Sequence, residues 1–184
     1  FNGEGDGLPG LVVDRYGDAA CVRLDGPAAE AFWRKGEGVG QWLKDALGLE
    51  VVYGRARARG GAVGWPIIGE TPQAPVPFVE GACRFTADVV KGQKTGFFLD
   101  QRENRRAISE IAQGLRVLNV FSYSGGFSIA AGVGGATGVT RVDIAPRAIA
   151  DAERRWALND LPEGAHEGVA GDAFAFLEET KERW

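Results

Sequence analysis

Residues 116 to 143 constrain the fold of this chain more than any other stretch. Arg116-Val-Leu-Asn-Val-Phe121 holds a short apolar run, Val117, Leu118, Val120 and Phe121, of the kind expected of a strand buried on both faces, and Ser122-Tyr-Ser-Gly125-Gly126 follows at once. That order predicts a strand-to-helix turn. Gly125 and Gly126 carry no Cβ atom to keep a ligand off the backbone, and the helix they open points unpaired N–H groups toward the same crevice. A second strand, Val139-Thr-Arg-Val142-Asp143, ends in an acid 17 positions after Gly126. Doubly wound α/β sheets place an acid roughly 20 residues on, where it holds the two hydroxyls of a ribose. The expected ligand is a cofactor that contains a nucleoside; the alternative is an α/β turn that binds nothing.

The G-x-G-x-x-G form that cradles a pyrophosphate is absent, because Ser124-Gly125-Gly126-Phe127-Ser128-Ile129 offers only two adjacent glycines. A dinucleotide, and with it an oxidoreductase, fits poorly. An adenosine cofactor without phosphates needs the tight turn and the ribose acid but no third glycine, and S-adenosylmethionine meets that description. A third strand from His166 to Ala170 brings Gly171-Asp172-Ala173-Phe174 to its carboxyl end, where open α/β sheets make their ligand contacts. Asp172 is there either to meet the cofactor or to cap the helix that follows, expected over 173–182.

Four segments occur together in a specific order and spacing: Lys91-Gly-Gln-Lys94-Thr95-Gly96-Phe97-Phe98-Leu99-Asp100-Gln-Arg102-Glu103-Asn-Arg105, then Asn119-Val-Phe-Ser-Tyr-Ser-Gly125-Gly126-Phe127, then Val142-Asp143-Ile144, then Gly171-Asp172-Ala173-Phe174. From about Gly7 onward the chain resembles the class I methyltransferases that make 5-methylcytosine in large-subunit ribosomal RNA and carry an N-terminal PUA module. A related group that methylates guanine N7 shares a similar Thr-Gly-x-Phe-Leu-Asp stretch. The resemblance implies an α/β fold: part of a Rossmann-like methyltransferase sheet over 76–184, preceded by a small α+β domain over 1–75. It implies that Ser122, Tyr123, Ser124, Gly125, Gly126, Asp143, Ile144, Asp172 and Ala173 hold S-adenosylmethionine, that Asp172 accepts from the adenine amino group, and that Thr95 and Phe97 lie near the methionine end. It places the RNA-binding PUA module before Phe1 and the catalytic half after Trp184. C5 of cytosine becomes nucleophilic only after a group adds at C6, usually a thiolate; the family's nucleophilic cysteine and the acidic-Pro-Pro turn facing the base are expected in that later half. A nucleoside-binding module without chemistry is the rival reading.

A formal net charge of −4 excludes a chain coated in positive potential, so contact with RNA must rest on local clusters. Arg55, Arg57 and Arg59 recur at period two and in extended chain share one face; a solvated edge kept basic against strand pairing is the equal alternative. Arg102, Arg105 and Arg106 form a second basic cluster beside the expected crevice. RNA is the expected partner. Cys21 and Cys83 sit singly in apolar stretches as buried thiols, and His166, the single histidine, has no metal-binding companion, so no metal is expected. No apolar run or leader pattern points to a membrane, and the cytoplasm is the expected compartment.

The remaining chain reads as follows. Leu11–Tyr16 and Ala19–Leu24 form a hairpin across a Gly17-Asp18 turn of type II′. Residues 28–47 read as a helix weakened or broken by Gly36, Gly38 and Gly40, and closed by Gly48. Val51–Gly54 reads as a strand, residues 60–77 as a glycine- and proline-rich linker, and Phe78 to Asp88 as a second hairpin. Asp100 with Glu103 reads as a capping box for a helix ending at Gly114. Pro146 opens another helix, with Ile149, Ala152 and Trp156 on its buried face.

Overall fold

A computed structural model describes residues 1–58 and 61–183. The chain forms two compact units: Phe1–Phe78 with Thr86–Leu99, and Val79–Phe85 with Asp100–Trp184.

The first unit is built on a four-stranded sheet in the order β1 (Leu11–Tyr16), β2 (Ala19–Leu24), β3 (Val51–Ala58), β4 (Gly61–Ile68). β1 and β2 are the expected hairpin, with Tyr16 opposite Ala19 and Gly17 at φ +56°. β2 and β3 run parallel, so the chain between them must cross over one face. That crossover is two helices, α1 (Pro27–Phe32) and α2 (Glu37–Leu47). The single helix is interrupted where Arg34, Lys35 and Gly36 all take positive φ, and α2 ends at left-handed Gly48. Because side chains alternate along a strand, Leu11, Val13, Ala20, Val22, Leu24 and Val52 share the face that packs with Leu43 and Leu49.

The linker expected over 60–77 contains β4, an antiparallel partner of β3. Glycine and proline did not break it, for local reasons. Pro66 sits on an edge strand, where a missing N–H costs no ladder bond. Gly54 and Gly64 leave space for aromatic rings: a Cβ on Gly54 would lie 2.5 Å from the Trp65 indole, and one on Gly64 would lie 2.5 Å from the Tyr53 hydroxyl.

The second unit carries a parallel sheet in the order β7 (Arg116–Val120), β8 (Gly138–Asp143), β9 (His166–Ala170). The hairpin of β5 (Val76–Glu80) and β6 (Cys83–Ala87) precedes it, and the division between units passes through that hairpin. α4 (Gly126–Val133) and α5 (Pro146–Leu158) make the crossovers, and α6 (Ala173–Thr180) follows β9. β8 is the central strand and the most buried; β7 is an edge strand of these three and only half-buried, which corrects the expectation of burial on both faces. Ala148, Ile149, Ala152 and Trp156 form the buried face of α5.

Arg141 on β8 is fully buried under α5. It is ion-paired with Glu153 and lies 3.0 Å from Nδ1 of His166. Burial first, and then the Arg141 charge, hold the His166 pKa below its ordinary value, so the imidazole serves as a neutral acceptor at the start of β9. Helix α3 (Arg102–Ile111) does not use the expected capping box: its N-cap is Gln101, reached through a 3-10 turn at Leu99–Gln101. The Glu103 carboxylate instead pairs with Arg102 and Arg106. No helix among the described residues is long and apolar enough to cross a membrane.

Candidate cofactor site

The carboxyl ends of β7, β8 and β9 meet at one edge of the second unit, and each ends in a residue that shapes the crevice. After β7 the chain turns through Phe121 (φ +57°), Ser122, Tyr123 (φ +47°), Ser124 and Gly125 (φ +78°) into α4. Two non-glycine residues in the left-handed region cost about 1–3 kcal/mol each, a strain that persists only where other contacts impose it. Asp143 is one such contact. At the end of β8 its Oδ2 accepts from the Tyr123 N–H at 2.7 Å and its Oδ1 from the Ala145 N–H at 2.9 Å. The backbone of the turn is tied down as well, by Ser122 N–H to the Val142 carbonyl at 3.0 Å.

Arg155 supplies a support that sequence reasoning missed. Its guanidinium is buried below the turn, and Nη1 donates to the Ser124 carbonyl at 2.6 Å. Burial lowers its pKa to about 10, still cationic at neutral pH. The sequence reading of this helix places only Ile149, Ala152 and Trp156 on its buried face. No sequence signal separated it from Arg154, which stays exposed and pairs with Asp151.

Gly125 also meets a packing constraint. A Cβ there would lie 2.6 Å from the Ala152 Cβ, so this glycine admits α5 against the turn. Its positive φ is a second reason for glycine. Gly126 begins α4.

The third loop contributes Asp172, which caps α6 by accepting from the Phe174 and Ala175 N–H groups, both through Oδ1 at 2.9 Å. The capping alternative for Asp172 therefore holds. Around these polar groups three large apolar side chains stand in solvent: Phe121 at 64% exposure, Ile144 at 76% and Phe174 at 72%. The Phe121 and Phe174 rings meet edge to face at 5.8 Å. Ala173 is buried beside them. Sequence analysis named Ile144 but missed Phe121 and Phe174 as crevice residues, since an apolar residue at a strand or helix end reads as core.

These residues fit an adenosine cofactor on three observations. The Ser122 hydroxyl is buried and, among the described residues, has no hydrogen-bond partner, an orphaned polar group in the turn itself. The Asp143 carboxylate is fixed by two N–H donors, yet each oxygen keeps a lone pair for a ribose hydroxyl. The exposed rings and Ile144 offer apolar surface for a base, while the Asp172 Oδ2 is not used by the cap.

Thr95 and Phe97, expected near the methionine end, belong to the first unit, and their side chains are taken up in its interior. The Thr95 hydroxyl donates to Asp14 and lies 2.8 Å from the Tyr16 hydroxyl. The Phe97 N–H donates to the same tyrosine at 3.2 Å, and its ring packs on Phe78. Both side chains are buried in the packing of the first unit.

The basic residues separate likewise. Arg105 is 3% exposed and forms a bidentate pair with Glu80, Nε to Oε1 and Nη2 to Oε2 both at 2.6 Å, so it is removed from the RNA-facing set. Arg102 and Arg106 are exposed, paired only with surface glutamates. Arg55 is buried in the first unit, while Arg59 and the Arg57 side chain lie outside the described residues. Both free thiols are buried, and burial pushes Cys21 up to about 12 and also raises Cys83, which leaves neither a ready nucleophile. Among the described residues no three His, Cys, Asp or Glu side chains are placed to hold a metal ion.

A parallel sheet with helical crossovers, a strained turn after its first strand and an acid after its second defines a Rossmann-like nucleoside-binding α/β protein. Residues 40–170 match the model of the S-adenosylmethionine-dependent methyltransferase family, and the chain belongs to that family. Its cofactor is S-adenosylmethionine. A ribosomal RNA large subunit methyltransferase of Deinococcus radiodurans is 43% identical over 96% of this chain and 45% of its own length. Ribosomal RNA large subunit methyltransferase I of Aeromonas salmonicida is 37% identical over 98% of the chain and 46% of its own length. A solved structure described as a methyltransferase complexed with SAH superposes on the whole chain with a TM-score of 0.84 at 28% identity, covering 47% of that protein. The chain thus spans about half the length of the relatives it matches.

Proposed function

We propose that this chain carries the cofactor-binding part of an S-adenosylmethionine-dependent enzyme that methylates large-subunit ribosomal RNA, with C5 of a cytosine as the acceptor. The observation that carries this reading is the Asp143 carboxylate, locked between the turn after β7 and the start of α5 beside the orphaned Ser122 hydroxyl. The RNA part is supported by the likeness to the Deinococcus and Aeromonas relatives, both named as ribosomal RNA large subunit methyltransferases.

When bound, the cofactor supplies an activated methyl group. The residues of this chain would bind and orient it: Asp143 would accept from the ribose hydroxyls, Ser122 to Gly126 would form the floor, and Ile144, Ala173, Phe121 and Phe174 would enclose the base, with Asp172 Oδ2 free of the cap to accept from its amino group. Neither Cys21 nor Cys83 is assigned as the nucleophile that adds to C6, because burial raises both thiols. Arg102 and Arg106 are assigned to RNA phosphates. The work of the enzyme is cytoplasmic.

The test is to incubate the intact protein with S-adenosylmethionine and large-subunit ribosomal RNA and to map the product by mass spectrometry. The expected product is 5-methylcytosine. Methyl transfer to guanine N7 would assign the chain to the related group, and transfer to a small metabolite would reject the RNA substrate.

A further inference from the structure

Two deeply buried arginines in this chain are treated in opposite ways. Arg105 has a carboxylate matched to its guanidinium. Arg55, 8% exposed, has none among the described residues: the hydrogen bond from its Nη1 goes to the uncharged Gly92 carbonyl, at 2.8 Å. Beside it, in parallel register on the neighbouring strand, stands Arg23. Register partners project from the same face, here the one opposite the helices, so two guanidiniums lie side by side across β2 and β3. Arg23 is paired with one exposed carboxylate: its Nη2 donates to Asp25 Oδ2 at 3.3 Å, and its Nε lies 3.2 Å from Asp25 Oδ1 without the alignment of a hydrogen bond, so among the described residues one carboxylate faces the two guanidiniums.

Like charges on adjacent strands repel, and a buried cation is disfavoured unless it is paired. Their juxtaposition is explained if the missing counter-charge arrives with a ligand. Both arginines open into one cavity of about 830 Å³ within the first unit, lined also by Asp25, Gly92, Gln93 and Lys94. Its charged lining is three cations against one carboxylate. A guanidinium presents a planar fork of donors that matches phosphate oxygens, and the volume admits a nucleotide rather than a lone ion.

We propose that this cavity is a phosphate subsite for the RNA strand, in which Arg55 and Arg23 donate to one phosphate while Lys94 adds charge at the rim. The inference rests on the RNA reading given above, and it adds Arg23 and Lys94, which sequence analysis did not connect with Arg55. The subsite belongs to the first unit, whereas the cofactor residues belong to the second, so the two functions are separable by mutation.

The experiment measures binding of a short fluorescein-labelled single-stranded oligoribonucleotide to the intact protein as a function of salt. Wild type is compared with Arg55→Gln, Arg23→Gln and Gln93→Glu. Each single-stranded phosphate neutralised contributes about −0.7 to the slope of log affinity against log salt, so Arg55→Gln should flatten the slope by about that amount. Gln93→Glu changes an exposed side chain without altering its size, and should weaken binding several-fold at low salt and little at high salt. Cofactor affinity by calorimetry should be unchanged in all three. If Arg55→Gln fails to fold, Gln93→Glu and Arg23→Gln still decide. A wild type that binds RNA with slopes and affinities matched by these variants overturns the subsite alone; a wild type that binds no RNA overturns the RNA reading as well.

Discussion

Asp143 does two jobs with one carboxylate, and the second explains why its spacing was legible. Sequence alone placed an acid at the end of the second strand, because a strand, a crossover helix and a second strand need a nearly fixed number of residues. The structure adds that the same oxygens hold the Tyr123 and Ala145 N–H groups. Asp143→Ala therefore removes ribose acceptors and also a restraint on a turn with two strained residues. Leaving the hydroxyls unpaired costs about 1–3 kcal/mol, up to roughly a hundredfold in affinity for S-adenosylmethionine. Asp143→Asn keeps one acceptor oxygen and should lose less. Calorimetry that finds Asp143→Ala binding as wild type does would remove Asp143 from the site. Arg155 and Arg105 were not legible at this scale: a sequence displays a charge, but not whether a carbonyl or a distant glutamate waits for it.

Among the elements, the strands and helices of the second unit followed from apolar period and helix-opening residues, whereas β4 did not. Its glycines and Pro66 are breakers in isolation, and only the facing rings of Tyr53 and Trp65 turn those glycines into fitted positions. The capping box failed for a related reason, because the chain enters α3 through a 3-10 turn that makes Gln101 the N-cap. The β8–α5–β9 layer yields a pH dependence. His166 faces Arg141, Glu153 and Glu163, and its pKa is depressed, mainly by burial and then by Arg141. Between the folded value and the unfolded value of about 6.5 the unfolded chain binds more protons, so stability rises with pH there. The contribution is fully present above about pH 6.5 and is lost as pH falls through the folded value. His166→Gln retains an acceptor for Arg141 but cannot titrate. Its melting temperature should fall less than that of wild type between pH 7 and pH 5, and superimposable acid limbs would show that His166 is not the titrating group.

Taken as a whole, the molecule carries a net charge of −4 and yet is read as contacting RNA, so what matters is which arginines are still available. Sequence analysis counted Arg102, Arg105 and Arg106 as one cluster because they are neighbours in the chain. A helix turns neighbours onto different faces, and Arg105 faces inward to Glu80 while the other two remain in solvent. This predicts opposite phenotypes. Arg105→Met leaves Glu80 buried without its counter-charge, which should cost about 3–5 kcal/mol of stability, a loss that Glu80→Gln in the same chain should partly restore. Its RNA salt slope should not change. Arg102→Ala with Arg106→Ala should do the reverse, with a near-normal melting temperature and a slope flattened by about 1.4 if each neutralises one phosphate. Thermal melting and salt-dependent RNA binding, measured on both variants of the intact protein, separate the two roles. A flattened slope in Arg105→Met that remained folded would return that arginine to the RNA surface, and an unchanged slope in the double variant would leave Arg102 and Arg106 as a solvated helix face.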